Sequence, residues 1–317
     1  MNPESTVVVH MTKVMPNSTV ASTRIATFIS EQLCCPLLDT TKKICNAKDA
    51  ETVILVNGPS AFCEEGLLDS LAELVATAKT FVWCSNDYTV YPATQIRTVL
   101  DDNPDLRVLS WSATPEWPEN FLARQTYMRI LKDVRYINWN SLTYNPRPIP
   151  DSLQSGLLYW GAYRQRRAKE FERFFETSMF PVKVSCTRAG GKKFEELDSR
   201  IELIPPLTAE TWPAMTTLYI QDDLSSKFYT SPANRFYEAL SAGIPMYFQP
   251  ESATTFERAG FSIDRWVVNG PRELAISIQK EVEAGPNHSG RVQRELWGHD
   301  FVGDLRIRLQ ELYKDLV

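Results

Sequence analysis

The chain has 317 residues, 43% hydrophobic and 23% charged, with a formal net charge of −5. That balance supports a large buried core and excludes a disordered or fibrous chain. The negative total argues against a whole-surface electrostatic grip on nucleic acid, while a local basic patch stays open.

Length alone predicts two domains, at roughly 100–200 residues each. Short apolar runs alternate with amphipathic stretches from the start. Residues 6–10 read as a buried strand and 21–34 as a helix, with apolar residues near the 3.6 period. A strand at 53–57, a helix at 64–79 and a strand at 80–84 come next. Then come a helix at 93–100, a strand at 106–111, a helix at 118–132 and a strand at 134–139. Such alternation predicts a parallel sheet covered on both faces. Residues 145–155 carry Pro146, Pro148 and Pro150, a spacing no helix or central strand tolerates, and read as a linker.

The alternation then restarts. Strands are expected at 156–160, 182–186, 200–204, 216–221, 244–248 and 265–268. Helices are expected at 165–177, 192–198, 232–242, 271–284 and 299–315. The expected architecture is α/β: two Rossmann-like doubly wound domains facing a cleft. Their bounds are 1–150 and 151–298, with 299–317 as a C-terminal helix that can pack back on the first domain.

The six cysteines, Cys34, Cys35, Cys45, Cys63, Cys84 and Cys186, show no Cys-x-x-Cys spacing. Reduced, mostly buried thiols and a cytoplasmic protein are expected. No metal site is expected from three histidines, none beside a cysteine pair. The first residues hold an apolar run too short for a secretory signal, and nothing approaches about 18 consecutive apolar residues.

The stretch at 229–251, YTSPANRFYEALSAGIPMYFQPE, carries the sharpest signal. Ser231 suits an N-cap, Pro232 the first helical position and Gly243 the position past the end. Ser231, Asn234 and Glu238 then share one face. Free N–H groups and the helix dipole make the helix start an anion site. Glu238, about 6 Å further along, is placed to read a sugar diol. A simple cap and a solvated glutamate explain the same residues.

SPANRFYEALSAGIPMYF resembles the donor-site motif of glycosyltransferases with the GT-B fold. The resemblance implies a nucleotide-sugar donor, a UDP-sugar first, with no metal required. It implies ribose contact by Glu238 and diphosphate contact by Ser231, Ala233 and Asn234. Thr230 stands where the retaining subgroup has the first Glu of its Glu-x7-Glu motif. GLLYWGAYRQRRAKEFERFF, 156–175, resembles the opening of the same donor domain, which points to Gly161, Arg164 and Arg167, then Arg166, at the diphosphate. A surface helix with its own ion pairs is the other reading of these arginines. SNDYTVYPATQ, 85–95, and YINWNSLTY, 136–144, resemble phage-type glycosyltransferases that modify hydroxymethylated bases in DNA. DNA is the implied partner and the host cytoplasm the implied location.

An inverting transfer needs a general base. His10, ending the first strand, and Asp87, after the strand at 80–84, are the two choices. A packed histidine and an Asn-Asp turn are the plain alternatives. Residues 124–147 hold Arg124, Arg129, Lys132, Arg135 and Arg147 against Asp133, a local charge of +4. Tyr127, Tyr136, Trp139 and Tyr144 interleave with them. Arg129, Lys132 and Arg135 suit phosphates, and Trp139 or Tyr144 a displaced base. A solvated helix beside a buried strand fits the same pattern. A small-molecule or glycan acceptor, and a non-catalytic nucleotide-binding protein of this fold, stay open.

Overall fold

A computed structural model describes residues 3–10, 21–39, 50–56, 78–85, 107–110, 134–136, 143–186, 188–208, 211–222 and 232–298. The chain divides into two compact units, Met1–Thr143 with Arg306–Val317, and Tyr144–Leu305.

In the first unit, strands β1 (Thr6–His10), β2 (Leu37–Asp39), β3 (Thr52–Val56), β4 (Thr80–Ser85), β5 (Arg107–Ser110) and β6 (Val134–Tyr136) form one parallel sheet. Its order is β2-β1-β3-β4-β5-β6. Val8, Ile54, Val56 and Val82 are buried because helices must cover a parallel sheet. Helix α1 (Ala21–Leu33) supplies part of that cover through Ile25, Ala26, Ile29 and Leu33. Strand β2 is absent from the sequence reading. Three residues between Pro36 and a polar stretch carry too little periodicity to register. The helices expected at 64–79, 93–100, 118–132 and 299–315 lie outside the described residues.

The second unit has strands β7 (Gln154–Trp160), β8 (Val182–Ser185), β9 (Glu202–Ile204), β10 (Met215–Tyr219) and β11 (Met246–Phe248). They pair in the order β11-β10-β7-β8-β9, all parallel. Helices α2 (Ala168–Phe174), α3 (Arg188–Leu197), α4 (Asn234–Ala242), α5 (Ala253–Arg258), α6 (Pro271–Glu283) and α7 (Ser289–Gln293) complete it. Adjacent residues of a strand face opposite ways. Tyr159 packs on Phe171, Phe175 and Phe194, while Trp160 reaches α4, so helices cover both faces.

Three expectations need correction. Residues 265–268 form no strand. Asp264–Trp266 is a 3-10 turn, and Val267 makes a single bridge to Phe248. Helix α3 begins at Arg188, not 192. Gly191 permits this, since a Cβ there would lie 2.8 Å from Leu203 Cδ1 of β9. The proline stretch is not a free linker. Arg147 N–H donates to Ser241 O (2.8 Å), the Ser241 hydroxyl to Asn145 O, and His288 Nε2 lies 2.8 Å from Pro150 O. Arg294 donates to Leu240 O (2.8 Å), to Ser241 O (2.7 Å) and to Arg147 O. One guanidinium thus satisfies the last carbonyls of α4 and ties the proline strap to them.

The close of α4 admits no extra atom. Gly243 turns left-handed at φ 67°. A Cβ on Gly290 of α7 would lie 2.4 Å from Gly243 O and 2.6 Å from Ile244 C, both backbone. An alanine normally helps a helix by about 0.5–1 kcal/mol, but forced overlap with rigid backbone costs about 1–3 kcal/mol. Gly290→Ala should therefore destabilise the protein by about 1–2 kcal/mol, read as a lower urea midpoint. An unchanged or higher midpoint would contradict the close packing.

Candidate functional site

In open α/β sheets, ligands bind beyond the carboxyl ends of the strands, where the strand order reverses. In the second sheet the chain runs β7, β8, β9 to one side, then returns to β10 and β11 on the other. The reversal lies between β7 and β10, at Gly161 and at Gln221–Asp222.

Gly161 comes directly after β7 with φ +127°, a conformation side chains resist. A Cβ there would stand 3.4 Å from Arg235 Nη1 and 3.9 Å from the Tyr159 hydroxyl. The glycine keeps this spot clear for a neighbouring cation. Arg235, in the first turn of α4, donates through Nη1 to the Tyr159 hydroxyl and through Nη2 to Ile220 O (2.7 Å). Its guanidinium lies 4.9 Å over the Tyr159 ring and 5.6 Å over the Tyr219 ring. Its Nε is buried without a hydrogen bond. Among the described residues no carboxylate pairs with it.

Arg167 closes a 3-10 turn, Gln165–Arg167, just before α2, and is 9% exposed. Its Nε meets Asp222 Oδ2 at 3.3 Å, and Asp222 is buried as well. Burial disfavours the cation, but Tyr159, Asp222 and Tyr219 together outweigh this and hold its pKa above the usual value. Arg164 and Arg166 are exposed. Arg164 carries its weight through the backbone, its carbonyl accepting the Arg167 N–H at 2.8 Å. The three arginines thus separate into one buried cation and two surface ones, a distinction the sequence reading did not draw.

Helix α4 starts at Asn234, two residues later than expected. Ala233 is the cap residue, extended at φ −67° and ψ 159°, with no side-chain cap bond. Its N–H donates to the Tyr219 hydroxyl at 2.8 Å. A tyrosine from β10 thereby anchors the helix start. Ser231 lies outside the described residues. Ala233 is exposed and Asn234 half-buried, while every residue from Phe236 to Ala242 is buried. The start of α4 is open and its remainder is enclosed.

Enclosure corrects the reading of Glu238 as a solvated residue. It is 6% exposed and accepts a hydrogen bond from Trp160 Nε1 at 2.6 Å. Trp160 in turn meets Trp212 edge-on at 4.8 Å. Glu238 stands three residues after Arg235, on one helix face. Arg235 is the residue the sequence reading missed. Its signal was available: the one cation of the motif, three residues before the glutamate.

His10 ends β1 at the reversal of the first sheet, wholly buried, in register with Asp39 of β2 and Val56 of β3. Arg135 lies in β6 opposite Leu109. Asp87, Arg129, Lys132 and Trp139 lie outside the described residues. Tyr144 belongs to the second unit. Its hydroxyl faces Leu240 O at 3.4 Å, at the far end of α4 from Asn234, and burial raises its pKa. Its ring packs on the core of the second unit and helps fasten the strap.

No protein-family model matches the sequence, and no curated protein matches it. Solved structures do. T4 phage β-glucosyltransferase superposes with a TM-score of 0.62 at 13% identity, covering 98% of this chain and 99% of that one. An α-glucosyltransferase in complex with UDP and a 13-mer DNA containing an HMU base gives 0.63 at 10% identity, covering 99% of each chain. An α-glucosyltransferase with UDP-glucose and DNA containing an abasic site gives 0.63 at 10% identity, covering 98% and 99%. The chain has the GT-B fold. The likeness spans both units of this GT-B chain, since it covers nearly all of its length.

Removing one member of a buried ion pair takes the opposite charge from the other, a loss of about 3–5 kcal/mol. Arg167→Ala should destabilise the protein by about 3 kcal/mol through Asp222, while Arg164→Ala should stay within about 0.5 kcal/mol of wild type. Urea unfolding of both variants tests this. Equal midpoints would show that Asp222 does not depend on Arg167.

Proposed function

We propose that this chain is a glycosyltransferase that takes a nucleotide sugar, a UDP-sugar first, as donor. The observation that carries the reading is Arg235, a cation without a carboxylate partner among the described residues. It stands beside Gly161 and the open start of α4 at the strand-order reversal of a GT-B donor-type sheet. A diphosphate supplies the missing negative charge. Glucosyltransferases with UDP or UDP-glucose share the fold, which supports the choice of nucleotide.

In this reading the diphosphate meets Arg235, Asn234, the Gly161 backbone and, from the surface, Arg164, while Arg167 adds buried positive potential. Ala233 borders the same place, and Ser231 is assigned to the diphosphate by the resemblance of its motif. Glu238 takes the ribose hydroxyls, its carboxylate fixed by Trp160. The acceptor hydroxyl oxygen attacks the anomeric carbon, the bond from that carbon to the phosphate oxygen breaks, and the nucleoside diphosphate leaves with the bonding pair. Arginine charge stabilises the negative charge that develops on the leaving phosphate. The hydroxyl proton passes to a base, for which His10 and Asp87 are the choices.

For the acceptor we favour a hydroxymethylated base in DNA. The basic and aromatic run from Arg124 to Trp139 and the DNA complexes of the α-glucosyltransferase support it. Arg129, Lys132 and Arg135 then contact phosphates and Trp139 stacks the displaced base.

The donor reading is tested by heating the protein with UDP-glucose. Ligand at about 100 times its dissociation constant adds about 2.7 kcal/mol to stability. Glu238→Gln should lose most of that increment while the ligand-free protein melts within a few degrees of wild type, because the amide oxygen still accepts from Trp160. No increment for wild type with any nucleotide sugar would remove the donor reading. An undiminished increment in Glu238→Gln would remove Glu238 from it.

For the acceptor, Arg129→Ala with Arg135→Ala should flatten the salt dependence of DNA binding by close to one unit of log–log slope per lost phosphate contact. Labelled-sugar transfer to hydroxymethylated DNA, with unmodified DNA alongside, completes the test. Transfer to a small glycan and to neither DNA would overturn the acceptor.

A further inference from the structure

We propose that Trp160 is a positioning residue whose indole N–H fixes the Glu238 carboxylate for a ribose hydroxyl pair, so that the site selects ribonucleotides over nucleotides that lack those hydroxyls. The inference rests on the donor reading above and deepens it.

Trp160 is the last residue of β7, directly before Gly161, and its side chain is buried. Its Nε1 donates to Glu238 Oε2 at 2.6 Å, short as bonds to a charged acceptor are. A second indole braces the ring. Trp212 meets it edge-on at 4.8 Å, and the Arg147 guanidinium lies 4.9 Å over the Trp212 ring. Arg147 is held in turn by its backbone N–H, which donates to Ser241 O of α4 at 2.8 Å. The chain of contacts therefore returns to the helix that carries Glu238.

An indole N–H can only donate, so the buried Trp160 commits one oxygen of Glu238 to itself. A carboxylate has about four lone-pair sites on its two oxygens, enough for the indole and for both hydroxyls of a diol. Groups held in place before the ligand arrives bind it without the loss of ordering them. A buried acceptor arranged for hydroxyls also penalises an analogue that lacks them, because its lone pairs then go unmatched. Spacing fits one nucleotide. Gly161 borders the diphosphate in the donor reading, and Glu238 lies about 6 Å along α4 from Asn234. The residue before that glycine thus holds the carboxylate that meets the ribose.

The test compares wild type, Trp160→Phe and Glu238→Gln in the full chain by calorimetry, with UDP and 2′,3′-dideoxy-UDP as probes. Wild type should prefer UDP. Trp160→Phe keeps a ring against Trp212 and removes the N–H. It should bind UDP about tenfold more weakly, the loss expected for one hydrogen bond to a charged group. Its affinity for 2′,3′-dideoxy-UDP should not change, a split that a packing role would not produce. Should Trp160→Phe fail to fold, Glu238→Asp takes its place. It keeps the charge but draws the carboxylate back from the indole, and the same split is expected. Full wild-type preference for UDP in Trp160→Phe, or in Glu238→Asp in its stead, overturns the proposal. If Glu238→Gln loses that preference, the donor reading stands. Equal loss for both probes in Trp160→Phe also overturns the proposal. A wild type that binds both probes equally removes Glu238 from the ribose and the proposal with it. No binding of either probe to wild type removes the donor reading itself.

Discussion

All strands of each sheet run parallel, and a parallel sheet must carry its chain back over one face or the other between strands. Every carboxyl end therefore lies along one edge. Only where the order reverses do two neighbouring strands send their chains apart and leave that edge uncovered. In the second sheet the reversal falls between β7 and β10. The residues just past the ends of β7 and β10, and the start of α4, must then line the opening. Gly161, Asp222 and Arg235 hold their places for that topological reason before any chemistry is considered.

The charged side chains of α4 are held by the last two residues of β7. Strand alternation sends Tyr159 and Trp160 to opposite faces. The Tyr159 hydroxyl accepts from the Arg235 cation, and Trp160 holds the carboxylate of Glu238. One dipeptide thus meets both the cation and the carboxylate of α4. A slip of one residue in β7 would exchange the two faces and dismantle both arrangements.

Much of the fold was legible in the sequence. Strand β1 appears with the expected ends, and most other strands within two residues, because buried parallel strands are compact apolar runs. Short elements were not legible. β2 has three residues, α5 six and α7 five, less than a period or two of any pattern. The turn at 265–268 reads as a strand because Trp266, Val267 and Val268 are apolar, yet they serve as core under β11. The site was half legible. Asn234 and Glu238 stood out by their spacing, and Gly161 through the resemblance to a donor domain. The burial of Glu238 did not, since a glutamate facing an indole and one facing water look alike in a string. Arg235 was hidden for a related reason. Its role comes from Tyr159 and Ile220, which lie 76 and 15 residues away.

The proline strap bears on how the chain can be divided. Residues 144–150 look dispensable, three prolines between two patterned halves. Yet Asn145 and Arg147 bond to the end of α4, and Pro150 to the buried His288. A fragment cut at residue 151 would strip acceptors from Arg294 and His288 and bare the carbonyl end of the helix whose other end forms the candidate site. A fragment meant to preserve that helix has its natural start at Tyr144, ahead of the prolines rather than after them.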